Sequence, residues 1–499
     1  MERPTSGPLV ARLFHRVLAV VFLIAWLSLG AQVDLIAGSR GLSPVGPWLR
    51  GLDSAGTSFW TLPSIFLVWS SDTALHAGIA AGVVLALLAL VGLAPRVCFG
   101  VSTALYLGYV VVCRTFLSFQ WDNLLLECGL LATCLPRDRR APLAHLAIRV
   151  LVFKLYFESG IAKWQSPLDD WHDGSAMTFY YETAPLPTRL AHFAHSLPVW
   201  FHHFEAWFTL FFELVIPFAV FTPWRRARLG AAVIFTGFQV VNIATANYGF
   251  FAYLALGLHV VLLDDATLAR LRARLLRPFT HLRPWRARLR LFHLRARARL
   301  RSWGASAKLR VSPGLRRGLG VAGFSAYLWA SIGDGVGAFL SRDLGGNMSP
   351  VVGELSRLRL VNTYHLFASI TRERIEPQVE ILVEGEWREQ DLWHKPGDPT
   401  RAPDFVAPHQ PRVDFQLWFY GLSVRRGVPA YVGALLDRVC QDPTVVAPLF
   451  RRALPASPQA TRMAFYRYHF TSPEEQRATG AYWRRERLGS TTELRCDGQ

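Results

Sequence analysis

The sequence predicts a polytopic α-helical membrane bundle of about nine spans followed by a β-rich extracytoplasmic domain. Three observations predict it. Hydrophobic residues make up 51% of the 499 positions and charged residues only 18%, against about 25% charged in ordinary soluble domains. Apolar runs close to the roughly 20 residues that cross a hydrocarbon core recur through residues 1–264 and return at 319–341. Beyond them, short strand-like runs and Pro/Gly punctuation take over. This composition excludes a disordered chain, which requires low hydrophobicity.

The spans read, in order, as 17–36, 73–94, 97–117, 143–164, 199–222, 229–246 and 319–341, with 249–264 shorter but strongly apolar. The first reads as an anchor, because no small-residue cleavage site follows its apolar run. Residues 58–71 are short, contain Pro63, and read as an interfacial or re-entrant segment. The stretch 122–135 (DNLLLECGLLATCL) is marginal, and charge parity decides that it crosses. With it counted, Arg3, Arg12, Arg16, Arg96, the Arg137–Arg140 cluster and the Arg225–Arg228 cluster all fall on one side. The positive-inside rule makes that side cytoplasmic. Loops 37–72 and 165–198, and everything after 341, then face outward.

Charge is concentrated in one place. Residues 266–318 hold 16 Lys/Arg and no Asp/Glu, which accounts for all but two units of the net +18. Leu268, Leu271 and Leu275 share a helical face there. The segment 265–318 therefore reads as a basic amphipathic cytoplasmic loop lying on anionic lipid. No nucleic-acid partner is expected, since no binding fold accompanies the charge.

Residues 345–499 form the outward domain. Gln378–Val383 and Arg412–Phe419 read as strands, and 428–440 as a helix with Val428, Tyr431, Val432, Leu435, Leu436 and Val439 on one face. Cys98, Cys113, Cys128 and Cys134 lie in apolar stretches, while Cys440 and Cys496 can form one disulfide if their domain sits in an oxidising compartment.

Ionisable groups within spans are functional candidates. Lys154 and Glu158 are four residues apart and can pair on one helical face. Asp122 and Glu127 frame the marginal span, with Arg114 or Arg149 as expected partners. Lys163 lies near the outer end of its span, before Trp164, Asp169 and Asp170, where a lysine snorkels to the interface. His202 and Glu205 are one turn apart, a spacing that suits a metal or acid/base site. No His-Glu-x-x-His accompanies them, and an interfacial belt of Trp, His and Phe accounts for the same residues. No metal or cofactor is expected. Neither a phosphate-binding loop nor a Gly-x-Ser-x-Gly elbow is present.

Several stretches together resemble the lipase maturation factor family. They are Gln120–Glu127 (Trp121, Asp122, Glu127), Phe179–Pro187 (Tyr181, Glu182, Pro185) and Trp200–Glu205 (Phe201, His202, Glu205). In the outward domain they are Asn362–Glu373, Lys395–Pro399 (Lys395, Pro396, Gly397, Asp398, Pro399), Arg412–Phe419 (Asp414, Trp418) and Tyr466–Phe470. The resemblance implies a multi-pass membrane protein with a large lumenal domain, resident in the endoplasmic reticulum of animals. It implies a chaperone-like factor for protein maturation rather than an enzyme, with a secreted lipase or similar client as partner. The arginine-heavy usage, with only Lys154, Lys163, Lys308 and Lys395 as lysines, points to a bacterial member in the inner (plasma) membrane. A more distant resemblance covers 156–177, which looks like a motif of the vitamin K-dependent carboxylase membrane domain. It implies an alternative, a membrane enzyme with Lys163 as base, tuned by Glu158 or His202.

Overall fold

The computed structural model describes residues 7–53, 62–276, 312–340, 353, 355 and 358–496. Its first half is helical. Helix α1 (Pro8–Gly30) is the central element, with Phe14, Phe22 and Trp26 buried along it. Short helices α2 (Val33–Ala37) and α3 (Val45–Asp53) follow. Helix α4 (Asp72–Val91) starts where Ser71 Oγ accepts from the Ala74 N–H and stops at Gly92, whose φ of +85° suits glycine. Helices α5 (Pro95–Val112), α6 (Gln120–Cys134) and α7 (Pro142–Trp164) come next. Proline opens α5 and α7 in the first turn, where no N–H is needed. Then come α8 (Ala176–Thr183), α9 (Arg189–His195), α10 (Val199–Leu214), α11 (Arg225–Thr245), α12 (Phe251–His259), α13 (Asp265–Leu276) and α14 (Pro313–Phe339).

Each of the nine stretches read as spans contains a helix. Among the described residues, though, only α1, α4, α5 and α11 are individually long and apolar enough to cross a membrane. The number rises to five if the bent pair Phe251–Leu262 and Asp265–Arg274 is one span. The shortfall has physical causes. Helix α6 has 15 residues, about 22 Å at 1.5 Å per residue. Helix α7 carries Arg149, Lys154, Glu158 and Lys163, and α10 breaks into a 3-10 turn at Ile216–Val220 around Pro217.

The helix ends sort by charge. At one end, Arg12 donates to the Arg137 carbonyl, Arg96 to the Thr133 carbonyl, and Arg225 to Asp264. Asp265 accepts there from the N–H groups of Gly7, Leu9 and Val10, a carboxylate on a helix N-terminus. The opposite end is covered by the C-terminal region. Of the basic loop only α13 and the residues from 312 onward are described; 277–311 lie outside the described residues, as do 54–61 of the expected re-entrant segment. Its remainder, 62–71, holds one 3-10 turn, Ile65–Leu67.

The C-terminal region contains an antiparallel sheet of β1 (Arg374–Val383), β2 (Glu386–Gln390), β3 (Ala460–Phe470), β4 (Trp483–Ser490) and β5 (Leu494–Arg495). The order is β2-β1-β3-β4, with β5 also on β3. The β1–β2 turn uses Glu384 and Gly385 at φ +53° and +82°, the geometry that suits a two-residue hairpin. Helices α15 (Arg412–Leu422), α16 (Ala430–Gln441), α17 (Pro443–Val446) and α18 (Pro473–Thr479) complete it. Arg412–Phe419 is thus helix, not the strand its sequence predicts. Val413, Phe415 and Leu417 alternate like a strand in the sequence, but α15 is wedged between β1 and the bundle, which buries Arg412, Asp414 and Tyr420 as well, and its exposed side carries Phe419 and Leu422, so no polar face reveals the helical period. Cys440 and Cys496 are bonded, tying β5 to α16.

Candidate functional site: buried charges where the sheet domain meets the bundle

Charge inside an apolar bundle persists only when it is paired and hydrogen-bonded. Here the C-terminal region supplies one charge partner, Arg412, and several of the hydrogen bonds. The Arg412 guanidinium, at the start of α15, reaches down to Asp122 at the start of α6. Nη1 lies 2.6 Å from Oδ2 and Nη2 2.8 Å from Oδ1, the two-pronged fit of a planar guanidinium to a carboxylate. Tyr106 donates to Asp122 at 2.6 Å, and Phe116 gives its carbonyl to Nη1 at 3.0 Å. Both charged side chains are almost wholly buried, at 1% and 0% exposed. Trp121 packs beside this pair against Phe119 and Phe415.

One turn along α6, Glu127 accepts four bonds. They come from Lys154 Nζ (3.2 Å), Tyr327 of α14 (2.8 Å), Tyr364 (2.8 Å) and Asn362 (3.1 Å). Glu158 accepts from the Tyr364 backbone N–H at 2.8 Å. Lys163 donates to Glu213 of α10 (3.0 Å) and to the Leu366 carbonyl (2.8 Å), while Trp171 donates to the Ala368 carbonyl (3.1 Å). The segment 362–368 therefore lies against α6 and α7, bonded along its length to the buried side chains of Glu127, Glu158, Lys163 and Trp171.

A second cluster ties loop 165–198 to the sheet. Glu182 accepts from the Phe470 N–H (2.7 Å) and faces His469 (2.9 Å). Arg374 of β1 donates to the carbonyls of Glu182 (2.8 Å), Ala184 (2.5 Å) and Pro185 (3.1 Å), and pairs with Glu376. Lys395 pairs with Glu376 at 2.6 Å. The Pro396–Pro399 turn packs behind it. Gly397 accepts from Tyr468, Asp398 caps Thr400, and the Pro399 carbonyl takes the Tyr482 and Trp483 N–H groups. Trp418 donates to the Thr183 carbonyl at 2.9 Å. Tyr181 donates to Glu205 (2.6 Å), which also faces His202 Nδ1 (3.2 Å). Phe201, next to His202, packs its ring against Trp200.

Several expected pairings are corrected. Lys154 pairs with Glu127 and not with Glu158, because α6 brings a carboxylate to the ammonium and Tyr364 supplies Glu158 with a backbone donor. Asp122 and Glu127 take Arg412 and Lys154 in place of Arg114 and Arg149. Lys163 does not snorkel: it is 3% exposed, because Glu213 and the 362–368 segment close over it. Among the described residues Glu213 is its charge partner, and neither Glu158 nor His202 bonds it. Arg412, Arg374, Glu376, Asn362 and Tyr364 escaped the reading as site residues, although the matching stretches contain or adjoin all of them but Glu376. Among the described residues no three or more His, Cys, Asp or Glu are grouped to hold a metal ion.

Burial perturbs the members of this junction on the sheet side. It lowers the Lys395 ammonium against the opposing pull of Glu376. It raises Asp414 from 3.8 to about 6, with Lys395 and the His394 N–H opposing. A carboxyl raised on folding contributes stability that is full below its unfolded value and is lost as pH climbs through its folded one. Asp414→Asn is therefore expected to raise the melting temperature more at pH 8 than at pH 5. The limit is about 3 kcal/mol for a two-unit shift. Melting curves across that range check it, and an equal effect at both pH values would refute it.

The family description of the lipase maturation factor transmembrane domain matches residues 9–270, and that of the lipase maturation factor C-terminal domain matches 360–493. The chain belongs to the lipase maturation factor family. It is 29% identical to lipase maturation factor 2 of Gallus gallus, covering 98% of this chain and 81% of that one. To lipase maturation factor 2 of Homo sapiens it is 29% identical, with coverage of 95% and 81%. To lipase maturation factor 1 of Bos taurus it is 30% identical, with coverage of 95% and 86%. No solved structure matches. Both family regions contribute to the junction just described: Asp122, Glu127, Lys163 and Glu182 from the first, Asn362, Arg374, Lys395 and Arg412 from the second.

Proposed function

We propose that this protein is a membrane-resident maturation factor that assists exported lipases or similar secreted clients, with its sheet domain and loop 165–198 as the client-facing body. The observation that carries the reading is the junction itself. Two outward regions, distant in sequence, are fixed to each other by buried bonds, as a rigid folding platform requires. Its outward end also bears a cleft of about 630 Å³, lined among others by Asp34, Arg40, Trp393, His409 and Thr444, a size in the range of binding sites.

On this reading nine helical segments cross or enter the membrane, and the short, charged α6 and α7 are sheathed by their neighbours. The arginine-rich end faces the cytoplasm, with the 265–318 loop on anionic lipid. The Cys440–Cys496 bond fits an oxidising outward compartment, the endoplasmic reticulum lumen by family or the periplasmic side of an inner membrane. A test is refolding of an exported lipase with the full chain in nanodiscs. The yield of active lipase should rise with the wild type and fall severalfold with Trp393→Ala, whose ring is exposed in the cleft. No rise with the wild type would end the proposal.

The second reading, Lys163 as a base, draws on its position beside a cavity. Against it, the ammonium already serves Glu213 and the Leu366 carbonyl. A Lys163→Arg variant that keeps full activity would remove it.

A further inference from the structure

Between α7, α10 and α11 the bundle encloses a cavity of about 50 Å³, room for more than one water and far less than a drug-sized ligand. Its polar lining is Lys163, Glu213, Ser159, Thr209, Gln239 and Asn242, and the rest is largely aromatic. Among the described residues two of its oxygens lack a hydrogen-bond partner: Glu213 Oε2, which lies 2.8 Å from the Lys163 ammonium, and the amide oxygen of Gln239, which has no such charge against it. The Gln239 side chain is 1% exposed. Its Nε2 donates to the Tyr156 hydroxyl (3.1 Å), which is bonded to His259 Nε2 (2.7 Å), whose other nitrogen meets Thr236 (3.2 Å). That chain of bonds engages one of the two N–H groups of Nε2. Oε1 has no partner among the described residues, and a buried acceptor left unmet is destabilising. A ligand with a donor answers it.

The mouth of the cavity shows where such a ligand comes from. Phe238 and Asn242 are its half-buried lining residues on α11. Beside them Phe208 and Phe211 of α10 and Val241 of α11 are exposed, an apolar surface on helices that border hydrocarbon. Charge narrows the class further. Lys163 and Glu213 neutralise each other at 2.8 Å, so an anionic headgroup meets the carboxylate and a cationic one the ammonium. Size excludes phosphocholine and sugars.

We propose that this cavity holds the headgroup of a neutral, hydroxyl-bearing lipid, of the monoacylglycerol class. Its hydroxyl donates to Gln239 Oε1, its oxygens accept from the remaining N–H of Lys163, and its chain runs out over the exposed faces of α10 and α11. The proposal does not depend on the identity of the client.

The test uses the full chain in nanodiscs and two photoactivatable lipids with the same diazirine-bearing chain, a monoacylglycerol and a lysophosphatidylcholine. The monoacylglycerol should label peptides around residues 208–211 and 238–242 about tenfold more than the lysophosphatidylcholine, the equivalent of one buried hydrogen bond. Gln239→Leu should abolish that preference while melting no lower than the wild type. Thr209→Trp, which fills the cavity wall, should abolish it too, and decides the matter if Gln239→Leu does not fold. Equal labelling by both lipids, or a preference that survives the variants, would show ordinary boundary lipid around a water-filled void and overturn the proposal.

Discussion

Arg412→Leu is expected to produce one of the two largest single-residue losses of stability in this protein. The substitution removes both prongs of the contact to Asp122 and leaves that carboxylate at 0% exposure with Tyr106 as its remaining close donor. Breaking one side of a buried pair costs about 3–5 kcal/mol, because the surviving charge stays desolvated. The loss falls on the junction, so the sheet domain should come free before the bundle melts. In detergent, limited proteolysis of the variant should release a C-terminal fragment at temperatures where the wild type stays intact. The Arg412→Leu/Asp122→Leu pair should recover most of the loss, since two apolar residues of similar volume leave no orphan. A single variant as resistant as the wild type would show that the pair does not hold the domains together. The same reasoning predicts that the isolated region 345–499 is a poor stand-in for the whole chain, because Arg412 and Arg374 then lose the partners in the first half of the chain that they are buried against.

Much of this was readable from sequence, and the failures share one cause. Apolar length marks a span, so the helices appeared where the runs lie. Arg12, Arg96, Arg137 and Arg225 sorted to one end because each flanks an apolar run, a local signal. The unread part is non-local. Lys154 sits four residues from Glu158, and the helical spacing rule offers only that partner. Glu127 is 27 positions away and Asn362 another 235 beyond Glu127, with no spacing to connect them. An exposed side that is itself apolar, with Phe419 and Leu422, hid the helical period of α15, where Val413, Phe415 and Leu417 alternate like a strand. His202 and Glu205 do face each other as their spacing predicts, yet Tyr181, 24 residues before Glu205, completes their contact and is invisible to a one-helix argument. Residues whose partners lie on the same helix could be read; residues that join the two family regions could only be flagged by their cost.

Glu127→Ala is expected to match or exceed the Arg412 effect. This carboxylate is the acceptor for four donors on three separate parts of the chain: α7, α14 and the 362–364 segment. Its removal strands the Lys154 ammonium at 4% exposure and leaves two tyrosine hydroxyls and an asparagine amide short of a partner. The stranded charge alone costs about 3–5 kcal/mol, and each orphaned polar group adds about 1–3 kcal/mol. The variant should accumulate poorly and melt well below the wild type. Glu127→Gln separates two explanations for why a charged residue stands here. It keeps the shape and one carbonyl acceptor, but opposes an amide N–H₂ to donors that already point inward. If Glu127 serves the junction, stability and lipase maturation should fall together for Glu127→Gln. Both should then return together when Lys154→Met is added, because that second change removes the charge in need of a counter-ion. If maturation fails while the melting curve is unchanged, the carboxylate acts on a substrate or client directly. The buried network around it would then be the scaffold of an active site rather than a joint.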